Sequence, residues 1–292
     1  MELLRSLIFV PGNRPNMLER ARTFNADSIM VDLEDSVPAA EKANARKLAQ
    51  EWVVQLQQQG KRVMVRVNSL DTGLTRDELT ELIGPHLYGV SIGKATSVWN
   101  LQEVDRIITP LESAAGLAPG RVKLIPWIEN ARAVITAYQM ATSSPRVVAV
   151  AFGAEDYTND MGVQRTDLGE EVYFPRATVA VAARAANIAA LDTPFVAFRD
   201  PEGLRREARH ARQLGYTGKF AIHPAQIEII NEMFSPMPEE VVYARQVVDA
   251  WNRGAAAGRG SVDLNGRMID VPVVKRAQNL LALAEAIQQQ FS

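Results

Sequence analysis

The chain has 292 residues, 47% hydrophobic and 23% charged, with 32 Lys and Arg against 34 Asp and Glu, three histidines and no cysteine. That length buries a sizeable core without staples, and the lack of cysteine excludes disulfide scaffolds, thiolate nucleophiles, iron–sulfur clusters and cysteine-bound zinc, as suits a reducing cytoplasm. A net charge of −2 sets up no bulk basic field to draw nucleic acid or anionic lipid.

The N-terminal apolar run from Met1 stops at Pro11-Gly12, too short for the core of a secretory signal. Other apolar runs, such as Val147–Phe152, fall far short of the roughly 20 residues a spanning helix needs. Short apolar, β-branched runs recur at Ser6–Val10, Ser28–Leu33, Arg62–Val67, Gly89–Gly93, Val122–Ile128, Val147–Phe152, Ala189–Phe195 and Lys219–Ile222. They show little alternation, as expected of parallel strands covered on both faces. Helix-length stretches lie between them. Ala39–Gln59 carries a stripe of Leu48, Trp52 and Leu56 with a stop at Gly60, and Ala177–Ala186 is alanine-rich for close packing.

Eight such units over residues 1–234 predict a closed (β/α)8 TIM barrel. An open doubly wound sheet is the alternative, weakened because no glycine-rich dinucleotide fingerprint follows the first strand. Ser235-Pro236-Met237-Pro238 then breaks the pattern, and a helix is expected over Glu239–Ala257. Ser261–Ile269, split by Asn265-Gly266, reads as a hairpin with a type I′ turn, and Val271–Gln290 as a last helix. Residues 235–292 thus form a helical extension, a lid or an oligomerisation arm.

A barrel of this kind keeps its active site at the C-terminal ends of its strands. Polar residues collect there: Asp32, Glu34 and Asp35 after the second strand, Arg66 and Asn68 at the third, Lys94 at the fourth, Glu129 at the fifth, Glu155 and Asp156 at the sixth, His223 at the eighth. Glu129 and Asp156 close adjacent strands, and two hard oxygen ligands with room for water and substrate suit Mg²⁺. The alternative is a pair of rim carboxylates bridged to Arg or Lys. His86, His210 and His223 show no zinc spacing, and serine elbows and P-loops are absent. Arg66 offers a fork for a substrate carboxylate or, equally, an ion pair with Glu34 or Asp35. Arg14, before a helix opened by Pro15, suits a phosphate group or is simply exposed. Asp270, flanked by apolar residues, is either a buried acid/base or the N-cap of the last helix, and its spacing favours the cap.

Taken in order, Ser6-Leu7-Ile8-Phe9-Val10-Pro11-Gly12, Val31-Asp32-Leu33-Glu34-Asp35-Ser36-Val37, Val65-Arg66-Val67-Asn68, Phe152-Gly153-Ala154-Glu155-Asp156-Tyr157 and Ala221-Ile222-His223-Pro224-Ala225-Gln226 resemble the citrate lyase β-subunit-like acyl-CoA lyases. Leu264-Asn265-Gly266-Arg267-Met268-Ile269-Asp270-Val271-Pro272 is similar to their lid motif. The resemblance implies a (β/α)8 barrel with a mobile C-terminal lid, often given to a neighbouring protomer in a trimer or hexamer.

It also implies Mg²⁺ (or Mn²⁺) on Glu129 and Asp156, substrate oxygens on Arg66, an acidic pair near the metal at Glu34 and Asp35, a lid acid/base at Asp270, and coenzyme A near Arg14. The implied reaction is retro-Claisen cleavage of a 3-hydroxyacyl-CoA to acetyl-CoA and a small α-keto acid. The stretches Val196–Leu204 and Gly215–Lys219 look most like citramalyl-CoA lyases, with malyl-CoA lyases next. The other implied readings are a citrate lyase β subunit acting on a carrier-protein thioester, a malyl-CoA thioesterase, and a non-catalytic CoA-ester binder.

Overall fold

The computed structural model describes residues 3–166, 168–256 and 258–290. Met1 and Glu2 of the first apolar run, Ala257 at the expected end of a helix, and the last two residues lie outside them. Eight strands form a closed barrel: β1 (Ser6–Pro11), β2 (Ser28–Asp32), β3 (Val63–Val67), β4 (Gly89–Ile92), β5 (Lys123–Ile128), β6 (Ala149–Phe152), β7 (Ala189–Asp192) and β8 (Gly218–Ala221). Each pairs in parallel with the next, and β8 returns to β1 with Leu7 opposite Phe220. This is the (β/α)8 architecture the eight repeats predict.

The largest shift from the expected bounds is in β7, which ends at Asp192 rather than Phe195. Pro194 has no N–H for the ladder and biases the residue before it, so pairing stops there. The Lys42–Gln58 helix also departs in detail. Its buried face is Ala45, Ala49, Trp52, Val53 and Leu56, while Leu48 is only half-buried. A stripe drawn through large residues overlooks the small alanines that let a helix approach the sheet.

Side chains alternate across each strand. Leu7, Met30, Met64, Trp127, Leu191 and Phe220 point inward and fill the barrel. Phe9, Trp127 and Phe220 meet there, with ring centroids 5.1 Å apart for Phe9–Phe220 and 4.5 Å for Trp127–Phe220. The outward set, including Ile8, Val31, Val65 and Val90, is buried under the helices, so both faces are dry. Period two also aims Arg66 inward above Met64, and its guanidinium lies 4.6 Å from the Phe9 ring centroid.

The chain divides into two compact units, residues 4–231 and residues 232–292 with the first three residues. The first holds the barrel. The second has the helix Pro238–Ala256, the antiparallel pair β9 (Val262–Leu264) and β10 (Arg267–Ile269), and the helix Val271–Gln290. Asn265 and Gly266 take φ of 55° and 75°, as a type I′ turn requires. Ala244, Val247, Ile269, Val274 and Ala277 form this unit's own core. No helix among the described residues is long and apolar enough to cross a membrane.

Candidate active site

Asp32 ends β2 directly opposite Arg66 on β3. The guanidinium grips it by two bonds, Nε to Oδ1 and Nη2 to Oδ2, each 2.7 Å. Asp32 also accepts the Glu34 N–H at 3.0 Å and the Ser36 N–H at 3.2 Å, which folds the following loop back over the barrel mouth. Burial opposes the Asp32 charge, but the hydrogen-bonded Arg66 outweighs it and holds this carboxyl below its ordinary value. The sequence alternatives for Arg66 named Glu34 and Asp35 as partners; the strongest partner is Asp32.

Glu34 and Asp35 are then cross-braced. Glu34 meets Lys94 Nζ through Oε1 at 2.5 Å and Arg66 Nη1 through Oε2 at 2.9 Å. Asp35 meets the same two cations, Lys94 through Oδ1 at 2.9 Å and Arg66 through Oδ2 at 3.4 Å. Glu34 is buried and Asp35 exposed. Burial pushes the Glu34 carboxyl up despite both cations, whereas Asp35 is held down because Lys94 and Arg66 outweigh its desolvation. Lys42 Nζ fixes the loop from below through the carbonyls of Leu33 and Glu34, and Asn68, itself bound by Glu78, donates to the Leu33 carbonyl.

Glu129 follows β5 and is 5% exposed. It accepts the backbone N–H of Lys94 but makes no ion pair among the described residues. Burial raises its carboxyl to about 8; the Lys94 N–H opposes this, while Asp156 and Glu34 add repulsion. Asp156 lies in the first turn of the helix Ala154–Met161 rather than on β6 itself. It is half-buried, and burial and then the Asp35 charge push its carboxyl up. Two glycines shape this pair. A Cβ at Gly153 would fall 2.6 Å from Glu129 Oε2, and one at Gly93 2.9 Å from Glu129 Oε1.

These carboxylates fit a divalent cation. Glu129 is desolvated, makes no ion pair among the described residues and is repelled by its acidic neighbours more than the Arg66 charge offsets, the condition a bound cation relieves. Among the described residues no three His, Asp or Glu side chains group as a complete cage. A site of two carboxylates, completed by water and substrate oxygens, is what Mg²⁺ takes.

Among the described residues, neither Arg14 nor His223 makes a side-chain hydrogen bond or ion pair with this cluster. Arg14 precedes the short helix Pro15–Ala21 with its side chain exposed. Asp270 belongs to the second unit and caps its last helix, accepting the Val273 N–H at 3.3 Å through Oδ1. His223 is exposed and stacked on Phe198 at 5.0 Å. At the loops after β6 and β7, a cavity of about 640 Å³ is lined by Glu155, Arg165, Tyr173, Phe195, Glu207 and His210 among others.

In the sequence Asp32 and Lys94 stand at the rim without a role of their own, and nothing there singles out Gly93 or Gly153. Period two in Asp32-Leu33-Glu34 was the available signal, since it turns both carboxylates toward Arg66.

With this geometry in place, the chain can be set beside known proteins. Residues 5–224 match the family described as HpcH/HpaI aldolase/citrate lyase. The chain is 38% identical over 284 residues to citrate lyase subunit beta of Leuconostoc mesenteroides subsp. cremoris, covering 97% of this chain and 94% of that one. It is 34% identical over 304 residues to an L-malyl-CoA/beta-methylmalyl-CoA lyase of Cereibacter sphaeroides, covering 97% and 95%. Among solved structures it resembles CitE of Mycobacterium tuberculosis in complex with magnesium, acetoacetate and coenzyme A, at a TM-score of 0.77, 27% identity and coverage of 96% and 97%. The barrel, its acidic rim and these likenesses agree: the chain belongs to the HpcH/HpaI aldolase/citrate lyase family.

Proposed function

We propose that this protein is a Mg²⁺-dependent carbon–carbon lyase that splits a 3-hydroxyacyl-CoA, taking citramalyl-CoA to acetyl-CoA and pyruvate and also malyl-CoA to acetyl-CoA and glyoxylate. The observation that carries the reading is the buried Glu129 with Asp156 beside it, two carboxylates without ion pairs at the rim that also holds Arg66. Relatives named for lyases of citrate and malyl-CoA, and a structural neighbour holding magnesium and coenzyme A, support it.

In this reading Glu129 and Asp156 hold the metal, Mn²⁺ serving in its place. When bound, Mg²⁺ supplies a Lewis acid for the substrate's carboxylate and hydroxyl oxygens. Arg66 orients the acyl part through the Nη2 hydrogen that Asp32 does not take and through its long contact to Asp35, which a substrate oxygen would replace. The hydroxyl proton passes to water, the carbinol carbon becomes the carbonyl of the α-keto acid, and its bond to the α-carbon of the thioester breaks with the electron pair leaving as a thioester enolate. The Arg66 charge stabilises the developing oxyanion, and Asp270 delivers a proton to the enolate carbon. Arg14, at the mouth of β1, is the residue assigned to the coenzyme A phosphates. The reading includes a homo-oligomer, a trimer or hexamer, whose neighbouring lids bring Asp270 to the barrels. It also places the enzyme in the cytoplasm.

The two substrates differ by one methyl group, worth only about 1–3 kcal/mol in a hydrophobic pocket, so activity on both is expected. Mass spectrometry of products from citramalyl-CoA, malyl-CoA and citryl-CoA tests the reading, with Asp270→Asn run alongside. Acetyl-CoA with pyruvate and with glyoxylate is expected, and a drop of about 10²-fold or more in the variant. Turnover of Asp270→Asn within a few-fold of the parent would remove the acid/base role. The likeness to citrate lyase subunit beta favours a second reading, action on a carrier-protein thioester. Cleavage of citryl carrier protein with inert CoA esters would establish that instead.

A further inference from the structure

Of the rim carboxylates Glu34, Asp35, Glu129 and Asp156, the last two make no ion pair among the described residues. Every oxygen of the other two is engaged. On Glu34, Oε1 meets Lys94 and Oε2 meets Arg66; on Asp35, Oδ1 meets Lys94 and Oδ2 meets Arg66. Arg66 is itself locked to Asp32. Lys94 is held differently. Its backbone N–H caps Glu129 while its ammonium reaches the opposite pair.

One residue does both because its backbone is left-handed, with φ of 55°. That conformation is uncommon for a lysine and strained by about 1 kcal/mol. Gly93, just before it, marks how close the two sets of carboxylates come. A Cβ there would lie 2.9 Å from Glu129 Oε1 and 3.5 Å from Glu34 Oε1, so both face one small space. Without the Lys94 ammonium, Glu34 would be a third carboxylate on that space.

We propose that Lys94 is a selectivity-determining residue: by occupying Glu34 and Asp35 it keeps the metal site at two carboxylates and so favours Mg²⁺ over Ca²⁺. Mg²⁺ is small, demands octahedral geometry and keeps several waters, whereas Ca²⁺ takes 6–8 oxygen ligands in flexible geometry and gains from each added carboxylate. Removing a nearby positive charge strengthens both divalent ions alike. An extra carboxylate helps chiefly Ca²⁺, so the ratio of affinities isolates the effect of Lys94.

The inference rests on the metal reading of Glu129 and Asp156, and calorimetry on the full-length protein separates the two. Mg²⁺ and Ca²⁺ are titrated into the parent, Lys94→Asn and Lys94→Gly, two substitutions that accept a left-handed backbone, so that either folded variant suffices. Mg²⁺ binding by the parent is expected, with a shift of about tenfold toward Ca²⁺ in the Ca²⁺/Mg²⁺ affinity ratio of the variants. Adding Glu34→Gln to the variant should return the ratio toward that of the parent. An unchanged ratio in a folded variant, with the parent binding Mg²⁺, would overturn the role of Lys94 alone. A parent that binds neither ion would overturn the metal reading and the inference together.

Discussion

At the residue scale, the proposed metal site depends on how little room Glu129 has. Gly153 begins the helix that carries Asp156, and its φ of −106° is open to any residue, so the need for glycine there is steric. A methyl group would come within 2.7 Å of Glu129 Cβ as well as 2.6 Å of Oε2. Neither the helix start nor the carboxylate can stay in place. Gly153→Ala is therefore expected to weaken Mg²⁺ binding by about tenfold or more while destabilising the fold by about 1–3 kcal/mol. Calorimetric titration and thermal unfolding check this together; Mg²⁺ affinity equal to the parent's would show that the glycine does not shape the site. None of this was legible in the sequence, where Gly153 is only the residue after a strand. The placement of Glu129 and Asp156 after β5 and β6 was legible, because strand ends are visible as the end of apolar runs. The Lys94 N–H that Glu129 accepts was not, since it depends on a backbone angle.

At the scale of elements, β7 and β8 are clipped to two helices by buried charge. Phe220 faces the barrel interior, so Lys219 before it faces the helices, with no exposure at all. Its ammonium lies 2.5 Å from both Asp192 on β7 and Glu207 on the Pro201–Leu214 helix. Arg176, on the Glu170–Ala185 helix, grips Asp192 by two bonds of 2.8 and 2.6 Å. Burial opposes the Asp192 charge, but Arg176 and Lys219 prevail and its carboxyl is held below the ordinary value.

Asp192→Asn leaves two buried cations sharing Glu207, a loss expected at about 3–5 kcal/mol in denaturant unfolding at neutral pH. A depressed carboxylate contributes stability above its unfolded pKa, near 3.9, and loses it as pH falls through the folded value. The gap between parent and variant should therefore narrow on acidification. A gap that holds constant down to about pH 3 would contradict the pairing. The apolar runs revealed β7 and β8, but a lysine in a four-residue strand carries no sign of which way it points until its neighbours are placed.

For the whole molecule, eight repeats were countable in the sequence and closure followed from the count, since periodicity cannot distinguish a closed sheet from an open one. The extension after residue 234 was legible as a change of style, and its Asn-Gly turn and last helix stand where expected. What the barrel unit presents outward was not legible. Ile135 and Tyr138 on two short helices, and Phe174 and Val181 on the Glu170–Ala185 helix, are half to three-quarters exposed. The proposed homo-oligomer would be expected to cover apolar residues of this kind.

The central claim is that two carboxylates and a hard cation carry the chemistry of a chain without cysteine. Its most direct measurement is acetyl-CoA release from citramalyl-CoA by the full chain and by Glu129→Gln, with Mg²⁺ and after exhaustive chelation. Turnover is expected to fall by about a hundredfold or more on chelation, to return when Mg²⁺ is restored, and to be equally low in Glu129→Gln. Turnover undiminished by chelation, or unchanged in Glu129→Gln, would contradict it.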